Sequence, residues 1–412
     1  MSPSSPAPRS PSPALSRRAA LGAAGTIGAL AATGPLSSAQ AEPGSGPGHG
    51  EARDRARAAL EALQRHFAID DGSDLLLEHA PRREDDPPSS YEWPLSQARA
   101  ATAELSHAPG VTDLAPMLAS RDRAQERYWH AAGGDTGLPG YASATDPATG
   151  AHGDYFYDDN AWVGMLEVEE HLLTDGRRGD VARAEEVMAL LRSGWDDDPT
   201  HPAPGGVWWA QTDWNDDRNT VSNMPTAKLG IRLFQLTGAQ EHLDLALRCV
   251  DWTREHLLAD NGLFWDNVKL DGSIDRTQWT YNQGVPLGVE ALLFEVTGDS
   301  THRDRCLAIV EALIGHYDVW TEGGSLDAQP VAFNAILASN LLLAESVLGP
   351  EVPGRRLVAA MADRQWRLLR DPETDLFRRG ADAEGTELLD QAGFARTQAL
   401  AALPRPLWRH LT

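Results

Sequence analysis

The turn Leu236-Thr237-Gly238 returns as Val296-Thr297-Gly298, sixty residues further along the chain. A looser copy stands at Leu173-Thr174-Asp175-Gly176 and another at Leu348-Gly349, so the four glycines lie 62, 60 and 51 residues apart. Each closes an apolar stretch, as a glycine free to take positive φ does just past a helix. A second helical pattern follows each turn. Leu243, Ala246, Leu247, Val250 and Leu257 share one face, and so do Cys306, Ile309, Val310, Leu313 and Ile314. The repeating unit is therefore a helix hairpin of about sixty residues. Nothing in the chain reads as a run of alternating strands.

How many hairpins there are depends on where the folded part begins. Ser16-Arg17-Arg18-Ala19-Ala20-Leu21 is a twin-arginine pattern, followed by a mild Ala/Gly-rich run that ends in Ala39-Gln40-Ala41. That small-x-small triplet is a signal-peptidase site, so residues 1–41 are expected to be an export signal. The run is too short and too broken by Gly and Pro to span a membrane permanently. Residues 42–51 read as a Gly/Pro linker, and 52–412 as a single catalytic domain. Of the 412 residues, 371 follow the signal, enough for about six units of sixty. Six hairpins can stack as an open solenoid or close into a toroid of inner helices ringed by outer ones. The connections Gly194 to Asn223 and Asp260 to Asn282 are long and rich in Trp, Asp, Asn and Gly, which marks functional loops on a closed scaffold. The expected fold is all-α, an (α/α)6 barrel.

The charge narrows the partners. Net charge is −24 at pH 7, and the leader holds three arginines and no acid, so the remainder is more acidic still. Such a chain repels nucleic acid and anionic membrane; a neutral polysaccharide carries no such penalty. The two cysteines, Cys249 and Cys306, both fall in apolar helical patterns. They read as buried free thiols, with a bridge open to an exported protein. No Cys/His cluster has zinc spacing, and Asp196-Asp197-Asp198 reads as a solvated loop, without the ligand spacing of a calcium site. No metal or organic cofactor is expected.

Chemistry concentrates at loop-to-helix junctions. The richest is Tyr155-Phe156-Tyr157-Asp158-Asp159-Asn160-Ala161-Trp162. Glycoside hydrolysis needs two carboxyl groups flanking one bond, and aromatic faces offer sugar rings a platform. An Asp-Asp pair at a helix start is more commonly a cap or a dipole partner. Three further junctions combine aromatics with amides or hydroxyls: Tyr91-Glu92-Trp93-Pro94-Leu95; Gly205-Gly206-Val207-Trp208-Trp209 with Asn219 to Asn223; and Trp279-Thr280-Tyr281-Asn282-Gln283-Gly284. If the inner helices all begin on one rim, these junctions meet in a single cleft. Each has a plainer reading: Trp208 and Trp209 as core plugs, Asn223 and Asn282 as N-caps, Trp93 and Trp162 as core.

In combination, the Tyr157 to Trp162, Gly206 to Trp209, Asn219 to Asn223 and Trp279 to Gly284 segments resemble glycoside hydrolase family 76. That family holds endo-acting α-1,6-mannanases and fungal cell-wall transglycosidases. The resemblance covers about residues 55–402 and implies a six-hairpin toroid, in agreement with the period. It implies a retaining mechanism with Asp158 as nucleophile and Asp159 as general acid/base. Adjacent residues suit the separation of about 5–5.5 Å that a retaining pair needs, rather than the roughly 6.5–9.5 Å of an inverting pair. Mutual repulsion would keep one of the two protonated. It further implies sugar contacts from Tyr281, Asn282 and Gln283, and from Asp266 in Gly262-Leu263-Phe264-Trp265-Asp266. The aromatic and amide residues Trp208, Trp209 and Asn223 complete the candidate cleft. Leu95 stands where similar proteins often have Phe, and Val331-Ala332-Phe333-Asn334-Ala335 lacks an expected Lys-Gly, so distal subsites differ.

The leading expectation is a secreted, monomeric α-1,6-mannanase acting on α-mannan or manno-oligosaccharides. Transfer to sugar instead of water is a variant of the same chemistry. Other helical toroids act as unsaturated glucuronyl hydrolases or epimerases. A uronate site wants Arg or Lys and an epimerase wants a His pair, and the four junctions have no His and little basic character. A glycan-binding protein without turnover is the remaining alternative.

Overall fold

Helices of two kinds alternate along the chain, and their sequences explain why. A computed structural model describes residues 47–379 and 385–412; the expected export signal at 1–41 and the expected linker up to residue 46 lie outside the described residues. Among the described residues there are twelve α-helices: α1 (His49–Phe67), α2 (Glu92–Ser106), α3 (Ala115–Glu126), α4 (Tyr157–Leu173), α5 (Val181–Ser193), α6 (Thr220–Thr237), α7 (Gln240–Leu257), α8 (Tyr281–Thr297), α9 (Ser300–Tyr317), α10 (Val331–Leu348), α11 (Gly354–Leu368) and α12 (Leu388–Ala402). The first helix starts three residues inside the stretch read as linker. Gly48 supplies its extended N-cap, and Glu51 sits in the first turn, where the dipole favours an acid.

Even-numbered helices form the inner ring. Each is buried on all faces through its first three turns, as in Thr220–Leu233 of α6 and Val331–Ala344 of α10. A helix buried on every face lies inside the fold. Over its 18 residues α10 is also long and apolar enough to cross a membrane, with mean hydropathy 1.7, yet most of that span is buried in the barrel wall. The odd-numbered helices are amphipathic and pack outside; α7 buries Leu243, Ala246, Val250 and Leu257 and leaves its other face to solvent. Inner neighbours follow the order α2, α4, α6, α8, α10, α12 and back to α2. The architecture is an (α/α)6 barrel.

The sixth pair departs from a plain repeat. Among the described residues no α-helix follows inner helix α12, which packs against α1. Gln391 of α12 donates to the carbonyl of Ala59 in α1 at 2.9 Å, fastening the closure. The ring is tight because glycines let backbones meet: a Cβ on Gly284 of α8 would stand 2.7 Å from Leu337 Cα of α10, and one on Gly393 of α12 would stand 2.5 Å from Ala332 Cα.

The Thr-Gly turns behave as the sequence requires. Gly238 and Gly298 take φ of 73° and 71°, and each N–H bonds to the carbonyl four residues back. Gly349 also closes its helix by such a bond and also takes positive φ, 84°, but its ψ of −158° differs from that of the other two. Cys249 and Cys306 are both free and fully buried, and burial pushes each thiol up to about 12.

One rim gathers the starts of the inner helices. The first N–H of α2 bonds to Ser143 O, that of α4 to Trp209 O, that of α6 to Asp266 O and that of α12 to Glu78 O, each at 2.9 Å. Thr280, at the head of α8, donates its hydroxyl to Asn334 of α10 at 2.9 Å. Short strands on these loops tie the rim: β1 (His79–Ala80), β2 (Trp129–His130), β3 (Gly140–Tyr141), β4 (Ala144–Asp146), β5 (Gly150–His152), β6 (Asp217–Asn219), β7 (Asn267–Lys269), β8 (Ile274–Asp275) and β9 (Thr386–Glu387). β1 pairs with β9, β2 with β3 and β4 with β5, all antiparallel; β6, β7 and β8 form an antiparallel three-stranded sheet. The tail closes off another part of the barrel. Thr412 donates from its backbone N–H and hydroxyl to Glu169 of α4, and Arg232 of α6 holds the carbonyls of Arg409 and Leu411.

Candidate active site

Helix α4 begins at Tyr157, and its N-cap, Phe156, makes no side-chain capping bond. Asp158 and Asp159 occupy the second and third positions of the first turn, so neither is an N-cap residue. Both are nearly buried, at 6% and 3% exposure. The helix dipole favours negative charge at this end. Across the cleft, the indole N–H of Trp209 donates to Asp158 Oδ2 at 3.3 Å.

The two tryptophans of the 205–209 segment separate. Consecutive residues in extended chain point to opposite sides. Trp209 turns to Asp158 and packs edge-on against Phe156 at 5.2 Å. Trp208 instead lies edge-on to His201 and under the guanidinium of Arg218, 5.0 Å from the ring centroid. Of the two, Trp209 is the one that touches the acid pair. Asp196 is no solvated loop residue: it is buried and bound to Arg218 and His201. That knot of Arg218, Asp196 and the carbonyls of Pro202 and Ala203 rigidifies the loop that carries Trp209.

Strand β6 carries the site onward. Trp209 N–H bonds to Asp217 O, and β6 pairs with β7, which begins one residue after Asp266. Asp266 is half-buried and accepts from Asn282 Nδ2 at 2.8 Å and Asn267 Nδ2 at 3.1 Å. Burial pushes its carboxyl up to about 7; the two amides pull the other way, and the Asp275 and Asp217 carboxylates add to the rise. Asn282 is therefore a partner of Asp266 and not an N-cap; Thr280 holds the cap position of α8. Tyr281 lies flat on Phe333 with ring centroids 4.0 Å apart, and Trp93 and Trp279 flank the same Phe at 6.0 and 5.6 Å. An aromatic cluster thus faces the rim from α2, α8 and α10.

Two candidate residues do other work. Asn223 is fully buried, accepts from Val207 N–H at 2.8 Å and donates to Asn219 O at 2.9 Å. Gln283, also fully buried, brackets Phe264 through both its N–H and its carbonyl, at 2.7 and 2.9 Å. Both brace loops against the barrel and neither has surface to offer a sugar. The same device recurs in the first turn of other inner helices. Asn160 holds Tyr141 through its N–H and carbonyl, Asn334 holds Leu326 O, and Gln391 holds Phe377 N–H. The signal was present in the sequence as an amide near the fourth position of each of these helices. It is absent only from α2, which has Leu95 there.

A cavity of about 680 Å³ opens elsewhere, on the barrel flank between α3, α4 and α5. Its arginines are already committed: Arg99 to Asp122 and Glu167, Arg178 to Asp122 and Glu170, Arg183 to Glu126. The acid pair, the aromatics and the open rim lie at the helix starts instead. Among the described residues no group of three or more His, Cys, Asp or Glu is arranged to hold a metal ion.

An (α/α)6 barrel with paired carboxylates among aromatics on its rim defines a class of carbohydrate-directed toroids. Comparison with known proteins narrows the class. The family model for glycosyl hydrolase family 76 matches residues 78–361, and the chain belongs to that family. It is 29% identical over 208 residues to a mannan endo-1,6-alpha-mannosidase of Candida glabrata, a match covering 45% of this chain and 46% of that protein. A Saccharomyces cerevisiae protein of the same name is 32% identical over 138 residues, 31% of this chain and 30% of that one. The chain thus spans less than half the length of these curated relatives. The fold superposes on a family 76 α-mannanase of Bacteroides thetaiotaomicron with a TM-score of 0.74 at 20% identity, covering 85% of this chain and 95% of that one. It also superposes on an α-1,6-mannanase of a Salegentibacter species with a TM-score of 0.67 at 18% identity, covering 85% and 99%. That structure is an inactive variant with two consecutive aspartates replaced by asparagine, in complex with α-1,6-mannotriose.

Proposed function

We propose that this chain is a retaining glycoside hydrolase that cleaves α-1,6-mannosidic linkages within mannan. The observation that carries the reading is the pair Asp158 and Asp159: consecutive, nearly buried, in the first turn of α4, with Asp158 held by Trp209. The mannotriose-bound neighbour, inactivated at two consecutive aspartates, supports it.

In this mechanism Asp158 attacks the anomeric carbon while Asp159 gives its proton to the departing glycosidic oxygen. The sugar is left covalently on Asp158. Asp159, now ionised, takes a proton from water, the hydroxide equivalent displaces Asp158, and the product keeps the α configuration. The Trp209 N–H steadies the nucleophile and would keep its reacting oxygen oriented toward the sugar. Asp266, titrating near 7, can both donate to and accept from a sugar hydroxyl, and Asn282 and Asn267 orient it. Tyr281 and Trp209 supply ring faces and edges to the sugar. Export through the twin-arginine leader fits a polymer that lies outside the cell, and the protein is proposed to act there as a monomer.

The test is digestion of unbranched α-1,6-mannan by wild type beside Asp158→Asn and Asp159→Asn, with products followed by NMR. Short α-1,6-manno-oligosaccharides that first appear as the α anomer, and vanish in both variants, are expected. Initial β anomer would end the retaining mechanism. Unaltered polymer with wild type would end the mannanase reading.

A further inference from the structure

We propose that Trp214 is a sugar-binding platform beside the acid pair, taking a neutral hexose unit of the same chain that Asp158 and Asp159 cleave. The inference rests on the mannanase reading and extends it to a residue that no motif marked. Among the described residues only Trp214 and Leu368 are large apolar side chains left exposed, at 38% and 49%. A lone exposed apolar side chain has no meaning by itself; the setting of Trp214 is what distinguishes it.

The indole is built in rather than loose. Asn215 N–H bonds to Thr212 O at 3.2 Å, closing a tight turn with Asp213 and Trp214 at its tip. Gln211, just before the turn, is pinned by its N–H to Tyr155 O and by its side chain to Asp135 N–H, each at 2.9 Å. The Trp214 N–H donates to Asp154 Oδ2 at 3.3 Å. Its ring stands edge-on to Trp209 at 5.9 Å and tilted to Phe156 at 6.1 Å. Trp209 in turn holds Asp158. Two partner rings and one hydrogen bond fix the plane while more than a third of the residue stays open to solvent.

That is the form a stacking platform takes. A pre-positioned indole loses little freedom when a sugar lies on it, and the C–H face of a hexopyranose matches an aromatic face. The platform stands directly beside the ring that touches Asp158, so a single aromatic ring separates it from that carboxylate. A chain with its scissile bond at Asp158 therefore reaches Trp214 with a neighbouring unit. Asp154 is then a positioning residue, acting through the indole N–H.

The test measures binding of α-1,6-manno-oligosaccharides from two to six units by calorimetry. It uses the Asp158→Asn protein, expected to lack turnover under the proposed mechanism, with Trp214 intact, Trp214→Phe or Trp214→Ala. Trp214→Ala is expected to weaken the hexasaccharide about 5- to 10-fold and the disaccharide distinctly less. Trp214→Phe, which keeps a flat ring, is expected to recover most of the loss. Equal affinity at every length with and without Trp214 overturns the platform and leaves the mannanase reading standing. So does an equal loss at every length that Phe does not repair, because that marks a purely structural indole. No binding at any length with Trp214 intact overturns both.

Discussion

The indole N–H of Trp209 donates to Oδ2 of Asp158 at 3.3 Å, joining residues 51 positions apart in sequence. It connects the loop before α6 to the first turn of α4. A hydrogen bond to a charged group contributes about 1.5–3 kcal/mol. Replacing Trp209 with Phe keeps an aromatic ring beside Phe156 and removes the donor together with the second ring of the indole. The expected result is a fall in kcat/KM for α-1,6-mannan of about 10- to 100-fold, most of it in kcat. A loss confined to KM would show that the N–H does not serve the reacting carboxylate.

Asp266 gives the pH dependence of stability a signature. Its carboxyl titrates at about 7, against 3.8 for an ordinary Asp, chiefly because it is buried. Between those values the folded state binds more proton than the unfolded chain. The contribution is therefore fully present below about pH 3.8 and lost as pH rises through 7. Asp266→Asn removes the titration. Its Tm relative to wild type is expected to climb from pH 5 to about pH 7 and to level off above that. Parallel Tm curves for the two proteins across that range would refute the assignment.

The amide braces predict a stability cost at a position beside the site. Asn160 makes three buried hydrogen bonds, to Tyr141 N–H, Tyr141 O and Phe156 O, at 2.7, 3.0 and 2.8 Å. Asn160→Ala removes all three side-chain bonds, although Phe156 O keeps the backbone N–H of residue 160, at a cost of roughly 2–4 kcal/mol. Denaturant unfolding measures it. Activity should fall as well, since Asp159 is the preceding residue. A variant within 0.5 kcal/mol of wild type, taken as roughly the spread of surface substitutions, would mean the braces are dispensable.

Between the inner helices lies a buried ion pair. Arg396 of α12 bonds to Glu104 of α2 at 2.8 Å and to Gln97 at 3.0 Å, with every partner buried. Arg396→Met strands the carboxyl, and breaking such a pair costs about 3–5 kcal/mol. Adding Glu104→Leu is expected to restore most of that stability, because a well-packed apolar pair replaces the ionic one at little or no cost. Failure of the double variant to recover would show that the pair also specifies how α12 closes on α2.

The barrel was legible in the sequence because it is a repeat. The Thr-Gly turns at 238 and 298, and the apolar faces of α7 and α9, are local signals that state where helices end and which side is buried. The place of Asp158 and Asp159 at the start of a helix was legible too, since it lies in adjacent letters. Less visible were the roles of residues whose partners are distant. Trp208 and Trp209 are neighbours in sequence, yet one packs on Arg218 and the other on Asp158. Asn223 and Asn282 both stand in first turns, but one clamps a loop and the other orients Asp266.

The sequence by itself determined the helix hairpin, its period, and the acidic and aromatic character of the junctions. These depend on side-chain spacing within one or two turns of chain. Only the tertiary structure decided that α12 pairs with α1 across the whole chain, that the helix starts share one rim, and that Trp214 stands exposed beside the ring that holds Asp158. The reason is physical. Closing the ring buries the inner helices on every face, and the direction a loop side chain takes is settled by what remains to be buried once the ring has closed.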